Sequence, residues 1–316
     1  SSSDSSRLVR GRRRNMEVTL LGTGSPAPNL NRAGTALTVS VDGETFLVDC
    51  GPRTVYELLR NGIDPGSISE LLFTHHHVDH NAAFPHFAIS SWTAGRESLR
   101  VYGPDGTDDL IEALYSVYEE DLAYRQQVGY DATGIEDIQW IPVEDGSRFE
   151  RGDVEIEASS VEHSIETYAY RFEGPNGERF VFSGDTRKSE DLAAFAAGAD
   201  VLVHDAHMSP VGEPPTPSGD ELVWDRYLTP YPEKMSRNLQ KTHCTPQQAG
   251  EIASKAGVDT LVLTHFPPYR DTDGIRAAAA EEFDGTVVVG YDGLTIDVSN
   301  GSLANDSQRA TAQEQL

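Results

Sequence analysis

The sequence predicts an α/β fold, α+β in the way its elements segregate, with sheets packed together and helices outside them. Short strands come in runs interrupted by helices, and the pattern occurs in two halves of the chain. The 316 residues can bury one large core, so one domain of roughly 250 to 300 residues is expected. The longest apolar runs, 260–264 (TLVLT) and 286–290 (TVVVG), have strand length. They fall far short of the roughly 20 residues a membrane helix needs. No membrane partner is expected.

The folded domain is placed at 16–298. It opens with EVTLLG, then TALTVSV and TFLVDCG joined by Asp42-Gly43, a pair suited to a hairpin turn. Pro52 should start a helix through VYELLRNG, which Gly62 ends. ISELLFT is the next strand and LRVYGP another, while 107–127 carries apolar residues at helical spacing. IQWIPV, VEIEASSV, TYAYRFE and RFVFSGD follow, the last two linked by GPNGE. DVLVHD is an apolar strand ending in polar residues. Thr245 is a good N-cap for PQQAGEIASKAG, and DTLVLTHF is again a strand. VVVGYDGLTIDVS reads as a closing hairpin. The stretch from Ser209 to Thr242, with six prolines, reads as one long loop, and such loops are usually functional.

The net charge is −26, from 25 basic and 51 acidic residues, and only four of the basic ones are lysines. This balance fits a protein working in concentrated salt, where screening removes most self-repulsion. No basic footprint for nucleic acid is visible, although one could be local. Cys50 and Cys244 lie far apart and are not expected to pair, so a reducing, cytoplasmic setting is expected. Residues 1–15 hold five arginines and look like neither a signal peptide nor an anchor. They and the polar tail 299–316 are read as disordered.

The chemistry sits at strand ends. His75, His77, Asp79 and His80 follow ELLFT directly. His163 follows EIEASSV, Asp185 follows RFVFSG, His204 or Asp205 closes VLVHD, and His265 follows DTLVLT. Strand ends on one sheet edge converge, and imidazoles with carboxylates are the donors that zinc and similar divalent ions take. One histidine so placed would be unremarkable; this many at equivalent positions, enough for two ions, indicates a metal site.

LLGTGSP, HHHVDH, His163, SGDT and THF, in that order, resemble the metallo-β-lactamase superfamily over about 16–297. The resemblance implies a four-layer αββα sandwich with a two-metal site on one edge. It assigns His75, His77 and His163 to one ion, Asp79, His80 and His265 to the other, and Asp185 to both. The ions would be zinc, with manganese or iron(II) as alternatives. His76 falls at the variable position of the motif. Asp79 is expected to orient the nucleophile as well, and His243 to protonate the leaving group. Asp205 stands where the family usually has glutamate, and its shorter side chain weakens a proton-transfer role.

Within the superfamily the sequence is similar to the ribonuclease Z and arylsulfatase-like branch, through LLGTGSPAPNLNRAG, LVDCGPRTVYELL and His243. Ribonuclease Z carries a tRNA-binding arm between the residues matching His163 and Asp185, but here only 21 residues intervene. The expected activity is therefore hydrolysis of a small ester, an aryl sulfate or phosphodiester, with Trp224, Tyr227 and Tyr231 of the long loop walling the site. A ribonuclease Z-type endonuclease acting on tRNA 3′ ends is the alternative, and a non-catalytic metal-binding scaffold a third reading, disfavoured by the full donor set. The partners expected are thus a small ester substrate, or RNA, with a second copy of the chain as the protein partner it admits.

Overall fold

Asp42 and Gly43 take φ of 53° and 99°, the backbone that a type I′ turn requires, so β2 (Ala36–Val41) and β3 (Glu44–Val48) pair antiparallel as expected. β1 (Glu17–Gly22) flanks β2 and pairs on its other side with β14 (Thr295–Asp297), both antiparallel. From β3 onward the ladder is parallel, through β4 (Glu70–Leu72), β5 (Leu99–Gly103) and β6 (Ile138–Pro142). Parallel neighbours need crossovers. These hold α1 (Thr54–Arg60), α2 (Val78–Asn81), α3 (Phe84–Thr93), α4 (Thr107–Val117) and α5 (Glu119–Gln127). The structure, a computed structural model, describes residues 15–210, 233–268 and 271–304.

The second sheet repeats the plan. β7 (Arg148–Arg151), β8 (Val154–Ser160), β9 (Tyr168–Glu173) and β10 (Arg179–Phe182) are antiparallel. β11 (Val201–Asp205), β12 (Thr260–Thr264) and β13 (Thr286–Val289) then add in parallel. α6 (Glu190–Phe195), α8 (Pro246–Ala256) and α9 (Thr272–Ala280) cover it; α7 (Glu233–Leu239) precedes α8. Thr245 caps α8 with a full capping box, its side chain accepting from Gln248 N.

Three apolar layers hold the sandwich. Leu20, Phe46 and Tyr102 of the first sheet meet Phe172, Phe180 and Val203 of the second, all buried. Phe46 and Phe172 pack edge to face at 5.7 Å, worth about 0.5–1.5 kcal/mol beyond the area they bury. Leu58, Phe84 and Phe87 pack helices on the outer face of the first sheet; Leu192, Ile252 and Ile275 do so on the second. The result is the expected αββα sandwich.

Several local expectations need correction. The segment 287–299 is not a hairpin: β13 continues the parallel ladder on β12, whereas β14 crosses to the other sheet and pairs with β1. Alternating apolar residues suit either arrangement, so periodicity could not separate them. α1 begins at Thr54 rather than Pro52, because Arg53 takes a left-handed φ of 77°. The 107–127 helix is two helices, interrupted at Tyr118. The long loop contains α7, and Trp224, Tyr227 and Tyr231 lie outside the described residues. Of the two segments read as disordered, residues 299–304 turn back so that Leu303 bridges Ile296; 1–14 and 305–316 are outside the described residues. Among the described residues no helix is long and apolar enough to cross a membrane. Cys50 and Cys244 are both buried and free.

Candidate metal centre

Gly51 lets the chain after β3 lie against the turn that follows β4. A Cβ there would sit 2.1 Å from the Asp79 carbonyl oxygen, so only glycine fits. Cys50 N donates to His80 O at 2.6 Å, and Ala83 N donates to Cys50 O, which pins the 75–80 turn from below. Asp49, buried with a left-handed φ of 58°, accepts from Thr74 N, Thr74 Oγ1 and His80 Nδ1 at 2.8, 2.8 and 2.7 Å. The turn is thereby fixed before any ligand arrives.

The structure brings all seven predicted donors together, in two groups. In the first, His75 Nε2 is 3.0 Å and His163 Nε2 3.2 Å from His77 Nδ1. In the second, Asp79 Oδ2 is 3.1 Å from His265 Nε2 and 3.5 Å from His80 Nε2. Asp185 Oδ2 stands between them, 3.2 Å from His265 Nε2, 3.4 Å from His80 Nε2, and 3.8 Å from both His75 Nε2 and His163 Nε2. His75, His77, His163 and Asp185 could hold one ion, and Asp79, His80 and His265 another.

Outer partners aim these rings. Thr74 Oγ1 meets His75 Nδ1 at 2.9 Å, and His163 Nδ1 donates to Thr242 O at 2.8 Å. His80 Nδ1 is held by Asp49, which leaves its Nε2 facing inward. His265 has a left-handed φ of 67°, an uncommon conformation for a side chain with a Cβ.

A pair of divalent ions fits this donor set. His77 Nδ1 faces two other imidazole nitrogens, and one proton cannot serve both contacts. Among the described residues, Asp79 Oδ1 is buried with no hydrogen-bond partner, an arrangement that costs energy unless something charged sits there, and His80 Nε2 meets only the carboxylate oxygens of Asp185 and Asp79, at 3.4 and 3.5 Å. Burial pushes His75, His77 and His163 below the usual imidazole range, keeping them neutral as metal donors must be. In the second group burial pushes the same way but loses. The Asp185 charge lifts His265 to about 10, and Asp185 with Asp79 and Asp49 lifts His80 well above its ordinary value. Burial likewise opposes the ionised form of Asp185, yet His265 and His80 hold that carboxyl well below the usual carboxylate range. Without ions, protons on His80 and His265 supply the positive charge that the carboxylates require.

Beside the second group lies a polar column. His243 Nδ1 is 2.8 Å from Asp205 Oδ2, and Asp205 also accepts from Thr186 N and His207 N. The His207 ring stacks on His243, centroids 4.4 Å apart. Asp205 is wholly buried, so it acts on His243 and His265 rather than on anything arriving from solvent. Of the two candidates closing β11 it is Asp205 that joins the centre; His204 Nδ1 turns to the Asp205 backbone carbonyl. His76 meets Thr107 Oγ1 at 2.8 Å, outside both donor groups.

Asp49 and His207 escaped the sequence reading. Asp49 follows an apolar strand as the other donors do, and that rule, applied to LVDCG, would have found it. Nothing in VLVHDAHM distinguishes His207.

The β-lactamase superfamily domain matches residues 44–266 of this chain. A ribonuclease Z from Mycobacterium marinum is 32% identical over 286 residues, which span 88% of this chain and 96% of that protein. Among solved structures, the metallo-β-lactamase fold protein YhfI from Bacillus subtilis superposes with a TM-score of 0.68 at 20% identity, covering 89% of this chain and 99% of that one. Human tRNase Z, short form, gives 0.65 at 20% identity with the same coverage. These two structural likenesses bear on the fold alone.

Proposed function

The chain belongs to the metallo-β-lactamase superfamily, in its ribonuclease Z branch, and from that premise we propose that it is a metal-dependent phosphodiesterase that cleaves RNA. It is a hydrolase of ester bonds, and its fold implies divalent metal ions. The observation that carries the RNA reading is the match to ribonuclease Z over 96% of that protein's length. It reverses the order reached from sequence, where a small ester came first.

In this reading His75, His77 and His163 would hold one ion, Asp79, His80 and His265 would hold the other, and Asp185 could serve either. Zinc is the first choice for such nitrogen and oxygen donors, ahead of manganese or iron(II). When bound, a metal pair supplies an activated water and neutralises charge on the phosphate. The residues do the rest. Asp79 Oδ1, which no group among the described residues engages, is placed to orient the nucleophile. His243, its Nδ1 held by Asp205, keeps Nε2 as the nitrogen that gives a proton to the leaving oxygen. Asp205 is a positioning residue that fixes the tautomer of His243.

One observation favours the small-ester reading as second choice. β9 and β10 are joined by a short hairpin, so no arm extends between His163 and Asp185. The test is a panel in high salt with the zinc-loaded protein: precursor tRNA, short single-stranded RNA, an aryl phosphodiester and an aryl sulfate. Cleavage of RNA is expected; turnover of the small esters alone would return the order to the one the sequence suggested.

A further inference from the structure

A cavity of about 530 Å³ opens beside the first donor group, lined by Ser164, Lys234, Met235, Asn238, Leu239 and Thr242. Two of its walls are wired to that group: Ser164 Oγ lies 3.2 Å from His77 Nε2, and the Thr242 carbonyl accepts from His163 Nδ1. Whatever is bonded to a group reacting at the centre therefore reaches this cavity next. Its volume falls within the range of small-ligand pockets, and Met235, Leu239 and the Thr242 methyl offer apolar surface for a flat ring.

The charge around it departs from the rest of the molecule. Against a net charge of −26, two of the chain's four lysines, Lys234 and Lys241, stand on or just past α7. The other two are paired elsewhere, Lys188 with Glu251 and Lys255 with Glu190. Among the described residues no carboxylate pairs with Lys234, and Lys241 Nζ donates only to Asn238 Oδ1, at 3.3 Å. Lys234 and Lys241 are both exposed.

We propose that α7 with its following turn is a docking rail for single-stranded RNA, whose phosphates track Lys234 and Lys241 while one base enters the cavity between Met235 and Leu239. The inference rests on the RNA reading above and gives it a substrate class: an unpaired segment next to the scissile phosphate, which needs no separate arm. Cations read the backbone and an apolar slot accepts any base face, so binding is sequence-tolerant.

The experiment follows binding of a fluorescein-labelled single-stranded oligoribonucleotide by anisotropy across a salt series, with products followed on gels in parallel. Lys234→Glu/Lys241→Glu should raise Kd at least about tenfold. It should also flatten the slope of log K against log salt by about 1.4, two phosphate contacts at about 0.7 each. Lys234→Arg/Lys241→Arg should bind like the parent, and thermal unfolding checks that each variant folds. No measurable RNA binding by the parent, or a Kd for the glutamate variant within twofold of it, overturns the rail. So does equal competition by polyaspartate of matched charge, which would point to an acidic polypeptide instead. Binding that responds to these variants without any cleavage would defeat the nuclease reading while leaving the rail standing. Cleavage that ignores them would do the reverse.

Discussion

His243 Nδ1 and Asp205 Oδ2 stand 2.8 Å apart, with Asp205 sealed from solvent and His243 nearly so. A carboxylate held this way fixes which imidazole nitrogen carries the mobile proton. His243→Ala should therefore lower kcat by roughly 10²- to 10⁴-fold with metal content unchanged. Asp205→Asn should lower kcat with little change in KM and shift the pH profile of kcat, which a purely structural role would leave in place. Loss of metal in His243→Ala, read by elemental analysis, would mean that His243 is itself a ligand.

Removing the shared carboxylate should empty the centre. Asp185 Oδ2 lies within 3.8 Å of imidazole nitrogens from both donor groups, so Asp185→Ala weakens both ions. The parent protein is expected to retain two zinc ions per chain after dialysis and the variant fewer than one. A parent stoichiometry near zero would remove the basis for metal chemistry.

The metal-free protein should lose stability as pH rises. Folding raises His265 from 6.5 to about 10, so its contribution is complete below pH 6.5 and is lost as pH climbs through about 10. Asp185 runs the opposite way: its depressed value contributes above 3.8 and fades only as pH falls through the folded value. Thermal unfolding after chelation should give a Tm that declines between pH 6.5 and 10. In the zinc-loaded protein, where ions replace those protons, the decline should vanish. A flat profile in the chelated protein would mean that His265 is not protonated in the folded state.

Gly51→Ala should cost about 1–3 kcal/mol or more, the usual penalty for overpacking, because the added Cβ meets the Asp79 carbonyl at 2.1 Å. The midpoint of urea unfolding measures this, and zinc affinity should fall with it, since the same clash displaces Asp79 and His80. A variant with an unchanged midpoint would show that the turn can yield.

The donors were legible because polar side chains at the ends of apolar strands stand out, and because each donor's strand could be read by period alone. HHHVDH, His163, Asp185 and His265 all met that description. Geometry was less legible. The segment 287–299 was paired wrongly because alternation reports a face, not a partner. α3 went unread because FPHFAISSWT is apolar on most sides and buries Phe84, Phe87 and Trp92 together. The stacking of His207 on His243 arises from chain segments more than thirty positions apart, which no local pattern encodes.

The two sheets repeat one plan, and the centre sits across their seam. His75, His77, Asp79 and His80 hang from the first sheet, whereas His163, Asp185 and His265 hang from the second. Ion capture therefore acts as a clasp between two halves of the polypeptide, closing spans as long as the 186 positions from Asp79 to His265. Loop-closure entropy grows only slowly with length, so this clasp restrains the unfolded chain little more than a short one would. Its larger effect is mechanical: chelation frees the rims to part at that edge while the aromatic interior stays shut. Hydrogen exchange should then quicken first in the turns after β4 and β12, and last along β2 and β10.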